Sequence, residues 1–493
     1  MAGGHHDHSP STVPLRVTTL SHNHPASCDN SVTQSSFILA LPIRYVSPVP
    51  DTFFSKSIPH MKTIHRTLLA ASLLACPAAH AGTQPPTEFA PAPSTATGLL
   101  LGKLTGETAF DKMWSAFTLY KDENNPILQE FSLQGRLQVQ YADGHANGDH
   151  FDIQDYANSG KDENVWGDHL EARRAYLGFK SKWFQNWKVE GQIDVDTDGL
   201  DGNTGEHTLY KDIYDLYVTY APTDAFNVSI GKQEIKFSRE QEISSKEILT
   251  FERSHVTNIL HPGNLTGAWV SGKGIDDHWL YELGIYGNDQ VREFSNFDGG
   301  AIMLGKVGYD YSSQSGLDSA IASFRYLHNT QPGFKSSEID PNYAAPTTPA
   351  FTDCIALSND IVHGRFGFTT DVLYGFGYQG TAEQAGVSKS LNQSDVFAIN
   401  LIPSYFIADG LQVVGRLQYA TSADPNGLSL PGRYEAMAPT TDKKGNSYAS
   451  AYLGLNYYIY GHKLKLMNGI EYSHLGGGDY DGYTFLSGMR FAF

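Results

Sequence analysis

The chain is 493 residues long, with 12% aromatic residues, 48 glycines and a formal charge of −18. So acidic a balance excludes a nucleic-acid partner, because phosphates need a basic footprint. Beyond the first hundred residues no run of about 18 apolar residues exists, so membrane-spanning helices are excluded.

Residues 61–81 open with Met61-Lys62-Thr63-Ile64-His65-Arg66, continue through an apolar stretch over 67–76 and close on Ala79-His80-Ala81. A charged start, an apolar core and a small-residue cleavage site make a secretory signal peptide, cut before Gly82. Such a signal leads its chain, so residues 1–60 are either a start placed too far upstream or an unstructured extension. His5-His6-Asp7-His8 reads as low complexity with no scaffold to hold a metal. Leu73-Leu74-Ala75-Cys76 also has the look of a lipoprotein box, but Ala79-His80-Ala81 follows at a suitable distance. Cleavage removes Cys28 and Cys76 and leaves Cys354 alone, which rules out an internal disulfide. It also makes the remainder more acidic, because five basic residues leave with three acidic ones.

Residues 82–127 form the next unit. Its Pro/Thr/Ala-rich beginning, 82–97, is a flexible leader. Within 109–120, Phe110, Met113, Trp114 and Phe117 recur at helical spacing behind Asp111, which predicts a short helix capping or plugging the mouth of the structure that follows.

From residue 128 to the end the pattern changes to period two. Phe131, Leu133, Leu137, Val139 and Tyr141 fall on one face of an extended chain, and Ser132, Gln134, Arg136, Gln138 and Gln140 on the other. Segments of this kind recur near 130–141, 171–182, 188–196, 211–220, 226–233, 267–272, 279–286 and 301–309. They continue near 319–328, 353–362, 367–378, 395–407, 411–420, 447–460, 463–472 and 483–493. Very short turns alternate with long polar loops between them. A soluble sandwich would put the apolar face inward; the repetition argues for the reverse, an all-β transmembrane up-and-down barrel of about sixteen antiparallel strands. Apolar side chains then meet lipid, and the polar set lines a wet lumen. On the last strand Tyr483, Phe485, Met489, Phe491 and Phe493 point to lipid.

The segment 231–254 reads GKQEIKFSREQEISSKEILTFERS. With Glu171-Ala-Arg-Arg-Ala-Tyr-Leu-Gly-Phe-Lys180, Asp215-Leu-Tyr-Val-Thr-Tyr220, Asp298-Gly-Gly300 and the tyrosine-rich Tyr452-to-Leu466 stretch, it resembles the phosphate-selective porin O/P family over about residues 127–493. The resemblance implies a sixteen-stranded homotrimer in the bacterial outer membrane, in contact with its lipid. It also implies a loop folded into the lumen, and arginines and lysines that select small anions such as phosphate.

The residues suit that role on physical grounds. A wide barrel conducts unselectively unless something narrows it, and the polar excursion 234–265 can enter the lumen without exposing backbone to lipid. Its region carries the constriction candidates Lys232, Lys236, Arg239, Lys246 and Arg253, balanced by Glu234, Glu240, Glu242, Glu247 and Glu252. On strand phase Arg136, Arg174, Lys180, Lys188, Lys306, Arg325, Arg416, Lys463, Lys465 and Arg490 point inward, as candidates for lining the pore and binding anions. Each serves either conduction or a cross-lumen ion pair with acids such as Glu190, Asp194, Asp196, Asp215 and Glu471. Arg173 falls on the lipid side by simple counting, a conflict that a bulge or a place at the aqueous rim would remove.

Other chemistry is weaker. Asp194, Asp196 and Asp198 with Gly199 resemble the opening of a calcium loop, but the twelfth position is Gly205. No nucleophile motif appears, and His255, His261, His328, His462 and the pair Ser244-Ser245 read as loop or interface residues. An outer-membrane hydrolase and a sugar-permeable porin, with Tyr214, Tyr217 and Tyr220 as a sliding surface, are the alternatives to a passive, cofactor-free anion porin.

Overall fold

The computed structural model describes residues 108–493 apart from 148, 152–168, 196–209, 290–292, 298–299, 334–349, 385–386, 439 and 441. The expected extension 1–60, the signal peptide 61–81 and the leader up to 107 lie outside the described residues.

Sixteen strands make the barrel. The first eight are β1 (Leu128–Ala146), β2 (His169–Trp183), β3 (Trp187–Val195), β4 (Tyr210–Thr223), β5 (Phe226–Glu234), β6 (Asn264–Lys273), β7 (Trp279–Gly287) and β8 (Ala301–Asp310). The second eight are β9 (Ser319–Asn329), β10 (Phe351–His363), β11 (Phe366–Gly377), β12 (Val396–Ala408), β13 (Leu411–Ser422), β14 (Ser447–Tyr460), β15 (Leu464–Gly476) and β16 (Tyr480–Ala492). Each pairs antiparallel with the next, and β16 returns to β1 with Ala492 opposite Arg136 and Gly482 opposite Ala146, so the sheet closes. Closure leaves no strand edge for lipid to meet. All connections at one end are short, from the two residues 409–410 to the eight residues 311–318. Two of the three two-residue turns use left-handed glycines, Gly364 (φ 56°) and Gly410 (φ 72°), where a side chain would be strained.

Side chains divide by face as the alternation predicts. Gln134, Arg136, Gln138 and Gln140 of β1 are buried inside, while Leu137, Ile230, Leu283, Leu357 and Leu453 lie exposed on the outer wall. Inside, Tyr452 lies flat over Gly454 and Gly469, and Tyr286 over Gly267 and Gly284, leaving no room at those glycines for a Cβ. The rings thus run along the wall instead of projecting across the lumen.

Three expectations need correction. The helix α1 (Ala109–Ser115) forms, with a capping box between Thr108 and Asp111. Its rings, however, pack on Tyr460 and on the outward-facing Phe491, and Trp114 Nε1 donates to the Ala492 carbonyl at 2.6 Å. It therefore clamps the outside of the closing seam and is no plug. Residues 118–121 pair with β1 beyond the point where β16 ends, covering that stretch of edge. For the same reason Phe491 and Phe493 do not both meet lipid: Trp114 covers the first and Phe117 stacks on the second at 3.9 Å. Lastly, the lumen is not uniformly wet. Ile235, Phe237, Phe251, Val256 and Leu260 of the loop after β5 pack with inward Leu265, Leu304, Leu327 and Leu373 into one buried cluster.

Candidate permeation site

The loop 235–263 joins β5 to β6 and contains two helical turns, α2 (Arg239–Glu242) and α3 (His255–Ile259). Its apolar residues drive it against the wall; its polar groups fix where it lies. Toward β8–β12, Asp371 of β11 accepts from Arg239 N at 2.7 Å and Glu240 N at 3.1 Å, which satisfies the free amides that begin α2. Arg239 pairs with Asp360 of β10 at 2.8 Å. Glu242 gathers Arg325 of β9 at 2.7 Å, Lys306 of β8 and Arg239 at 3.1 Å. Burial pushes the Glu242 carboxyl up, but Arg325, Lys306 and Arg239 overcome it and hold the group well below the ordinary carboxylate range.

Toward the opposite arc the polarity reverses, and loop carbonyls accept from the wall. Gln138 of β1 reaches Ser245 O at 2.7 Å and Lys465 of β15 reaches Ile248 O at 2.7 Å. Asn456 of β14 reaches Leu249 O at 2.8 Å, Arg490 of β16 reaches Phe251 O at 2.7 Å, and Arg416 of β13 reaches Glu252 O at 2.6 Å. Arg136 donates to Ser245 Oγ and, at 2.9 Å, to Gln192. A segment bonded to strands on both sides of a closed sheet can reach them only through its interior, so this loop lies in the lumen.

Arg173 shows how one residue escaped the counting. Gln138 pairs with Arg174 and Val139 with Ala172, so Arg173 is the extra residue of a bulge. The bulge turns it inward, where its Nε and Nη2 grip Glu252 at 2.6 and 2.9 Å, and Arg174 adds a third contact at 3.1 Å. Arg253 pairs with Glu234 at 2.7 Å, Arg416 with Glu471 at 2.8 Å, and Lys180 with Glu190 at 2.9 Å.

Two candidates fall elsewhere. Lys232 is part of β5, opposite Leu216 and Thr266; it alternates with the inward Gln233 and so faces outward, buried and within reach of the charges of Asp212, Asp289 and Glu293. Lys463 sits in the β14–β15 turn, exposed, with its ammonium 5.4 Å from the Tyr460 ring. Of the aromatic trio, Tyr214 and Tyr217 point inward and donate to Glu234 and Glu190, both at 2.9 Å. Tyr220 lies on the outer wall against Trp187. Asp194 stands 4.0 Å from Lys211, while Asp196 and Asp198 lie outside the described residues.

The loop leaves space on either side of it. Toward the long connections a cavity of about 680 Å³ lies between Glu252, His255 and His261 of the loop and residues 427–435 of the β13–β14 connection. Burial pushes both imidazoles down to about 4, so they are neutral at pH 7. The 427–435 stretch is held at the mouth by Arg433 and by Tyr434, whose hydroxyl donates to Glu171 at 2.5 Å. Toward the short turns a second cavity of about 510 Å³ is edged by Lys180, Lys188, Lys236, Glu190 and Glu282. Lys246 stands near it, its ammonium pushed down to about 8 by burial and by Arg136 and Lys180. Among the described residues Lys188, Lys236 and Lys246 make no ion pair.

The family model for phosphate-selective porins O and P matches residues 146–302, from the end of β1 to the start of β8. Over that third of its length the chain is similar to the family. Like the barrel that its own strands close, the match makes it an outer-membrane porin. No curated protein matches it. Among solved structures it is similar to the outer membrane channel DcaP of Acinetobacter baumannii, at 17% identity over 76% of this chain and 100% of that one, with a TM-score of 0.45. It is also similar to an anion-selective porin from Comamonas acidovorans, at 11% identity over 74% and 99% with a TM-score of 0.44. Salmonella typhi OmpF, in a complex with daunomycin, aligns at 12% identity over 76% and 100% with a TM-score of 0.46.

Proposed function

We propose that this porin passes small anions, phosphate and related oxyanions among them, through the space that the loop 235–263 leaves open. The observation that carries the reading is the set of uncommitted cations: Lys188 and Lys236 edge the cavity toward the short turns and Lys246 stands near it, with no carboxylate bound to them among the described residues. An ammonium that no carboxylate neutralises can replace part of an anion's hydration while releasing it again, which conduction requires. The arginines support the passage differently. Arg416 divides its donors between the Glu252 carbonyl and Glu471, Arg490 between the Phe251 carbonyl and Gln138 and Gln140, and Arg173, Arg239, Arg253 and Arg325 bond carboxylates. They set the loop's position, and with it the width of the passage.

The acidic total charge does not oppose this, because selectivity depends on the groups at the narrow point. Export by the signal at 61–81 and assembly as a homotrimer complete the proposal. The test is the reversal potential in a salt gradient across a planar bilayer, followed by chloride current with and without added phosphate. An anion-selective current that phosphate reduces is the expected result; a cation-selective channel would end the reading.

A further inference from the structure

The outer wall obeys the demand of lipid for apolar side chains along β7–β10, where Leu283, Ile285, Met303, Val307, Phe324 and Leu357 face out. It departs from that demand at Lys232 of β5, which other residues cover, and, uncovered, on β15–β16. Asn468 faces outward between Leu466 and Ile470, directly opposite Ser487, which lies between Phe485 and Met489. Ser487 Oγ donates to Asn468 Oδ1 at 2.9 Å, and the pair is exposed. Both N–H groups of the Asn468 amide have no acceptor among the described residues.

The depth of this pair makes it unusual. Ser487 is four residues from Tyr483 on one side and four from Phe491 on the other. At strand rise and barrel tilt that is about 10 Å of height in each direction, which places the pair near the middle of an apolar band about 25 Å tall. Hydrocarbon offers an amide nothing to bond, and lipid headgroups do not reach that depth.

We propose that the β15–β16 face, through Asn468 and Ser487, packs against a second copy of this chain in the membrane. The inference rests on the outer-membrane barrel and gives the proposed oligomer its contact surface. The donor and acceptor set is self-complementary. Copies inserted in the same direction are related by an axis along the membrane normal, so a residue near that axis meets its own counterpart at the same depth. Each amide can then donate to the next copy's Asn468 Oδ1, which keeps a second lone pair after accepting from Ser487. A ring of such bonds closes for two copies or for three.

The test uses the full chain refolded into phospholipid vesicles, with its gel shift on heating as the check that the barrel has formed. Asn468→Cys, oxidised in the bilayer, is expected to give disulfide-linked pairs, whereas Leu357→Cys on the β10 wall gives none. Asn468→Leu with Ser487→Ala is expected to weaken association in detergent by about tenfold per contact. The proposal is overturned if folded Asn468→Cys barrels stay uncrosslinked, or if the apolar double variant associates as strongly as the parent. Neither result bears on the porin reading, which fails separately if the folded barrel carries no current.

Discussion

Replacing Glu242 with glutamine removes the charge on which three cations converge. Arg325 is 0% exposed, Lys306 and Arg239 lie close by, and the carboxylate is their shared partner. Breaking a buried pair from one side costs about 3–5 kcal/mol, since the remaining charge is left in a place water does not reach. The loop keeps Asp371 on the same wall and Lys465, Arg490 and Arg416 on the other, so the lower figure, about 3 kcal/mol of local docking, is the expectation. That corresponds to roughly a hundredfold loss of amide-exchange protection in α2. The barrel's own ladder is untouched, so its melting temperature holds while single-channel conductance rises. Adding Arg325→Met, which removes the stranded charge, restores most of the protection, and the double-mutant cycle isolates the pair. Unchanged exchange at 239–243 in the single variant would refute the argument that Glu242 is what fixes the loop to β8 and β9.

Four further outcomes follow from the same geometry. Reversing Lys236 and Lys246 to glutamate should shift the bilayer reversal potential toward cations, while the same change at Lys463, out in the turn, should leave it within error. Arg173→Ala deprives Glu252 of its two-point partner, and a loss of about 2–4 kcal/mol in loop docking, read by limited proteolysis of folded protein, is expected. Trp114→Ala removes a buried ring and the bond to the Ala492 carbonyl, and should cost about 3 kcal/mol at the seam, seen as a lower unfolding midpoint. The loop 423–446 should respond to pH. Burial and the facing Glu471 push the Glu435 carboxyl up to about 7; Ser473 bonds it at 3.3 Å and Tyr448 at 3.4 Å, and Arg416 lies nearby. A raised acid favours the docked form while it stays protonated. Docking is therefore strongest in acid and weakens as pH rises from the ordinary glutamate value, about 4.5, through about 7. His255 and His261, already neutral there, do not contribute. Protease sensitivity of this loop should be higher at pH 8 than at pH 5.5, and Glu435→Gln should flatten the difference.

The sequence by itself determined the barrel. All sixteen strands fall within a few residues of where period-two alternation puts them, because each strand of a lipid-facing wall must satisfy that alternation separately. The same logic placed Arg136, Arg174, Arg325, Arg416, Lys465 and Arg490 inside, since inward phase is local. Even the conflict at Arg173 was visible, as a charge where none could stand, although only the pairing of Gln138 and Val139 with residues two apart showed the bulge that resolves it.

Tertiary structure alone decided what those inward charges do. Glu171 and Arg433 are 262 residues apart, and no period relates them. Whether a cation is spent on Ile248 O, on Glu242 or on nothing depends on how the loop crosses the lumen. That path is set by the apolar residues Phe237, Phe251 and Leu260, which in the sequence look like interruptions of a polar loop and in the barrel form its inner core.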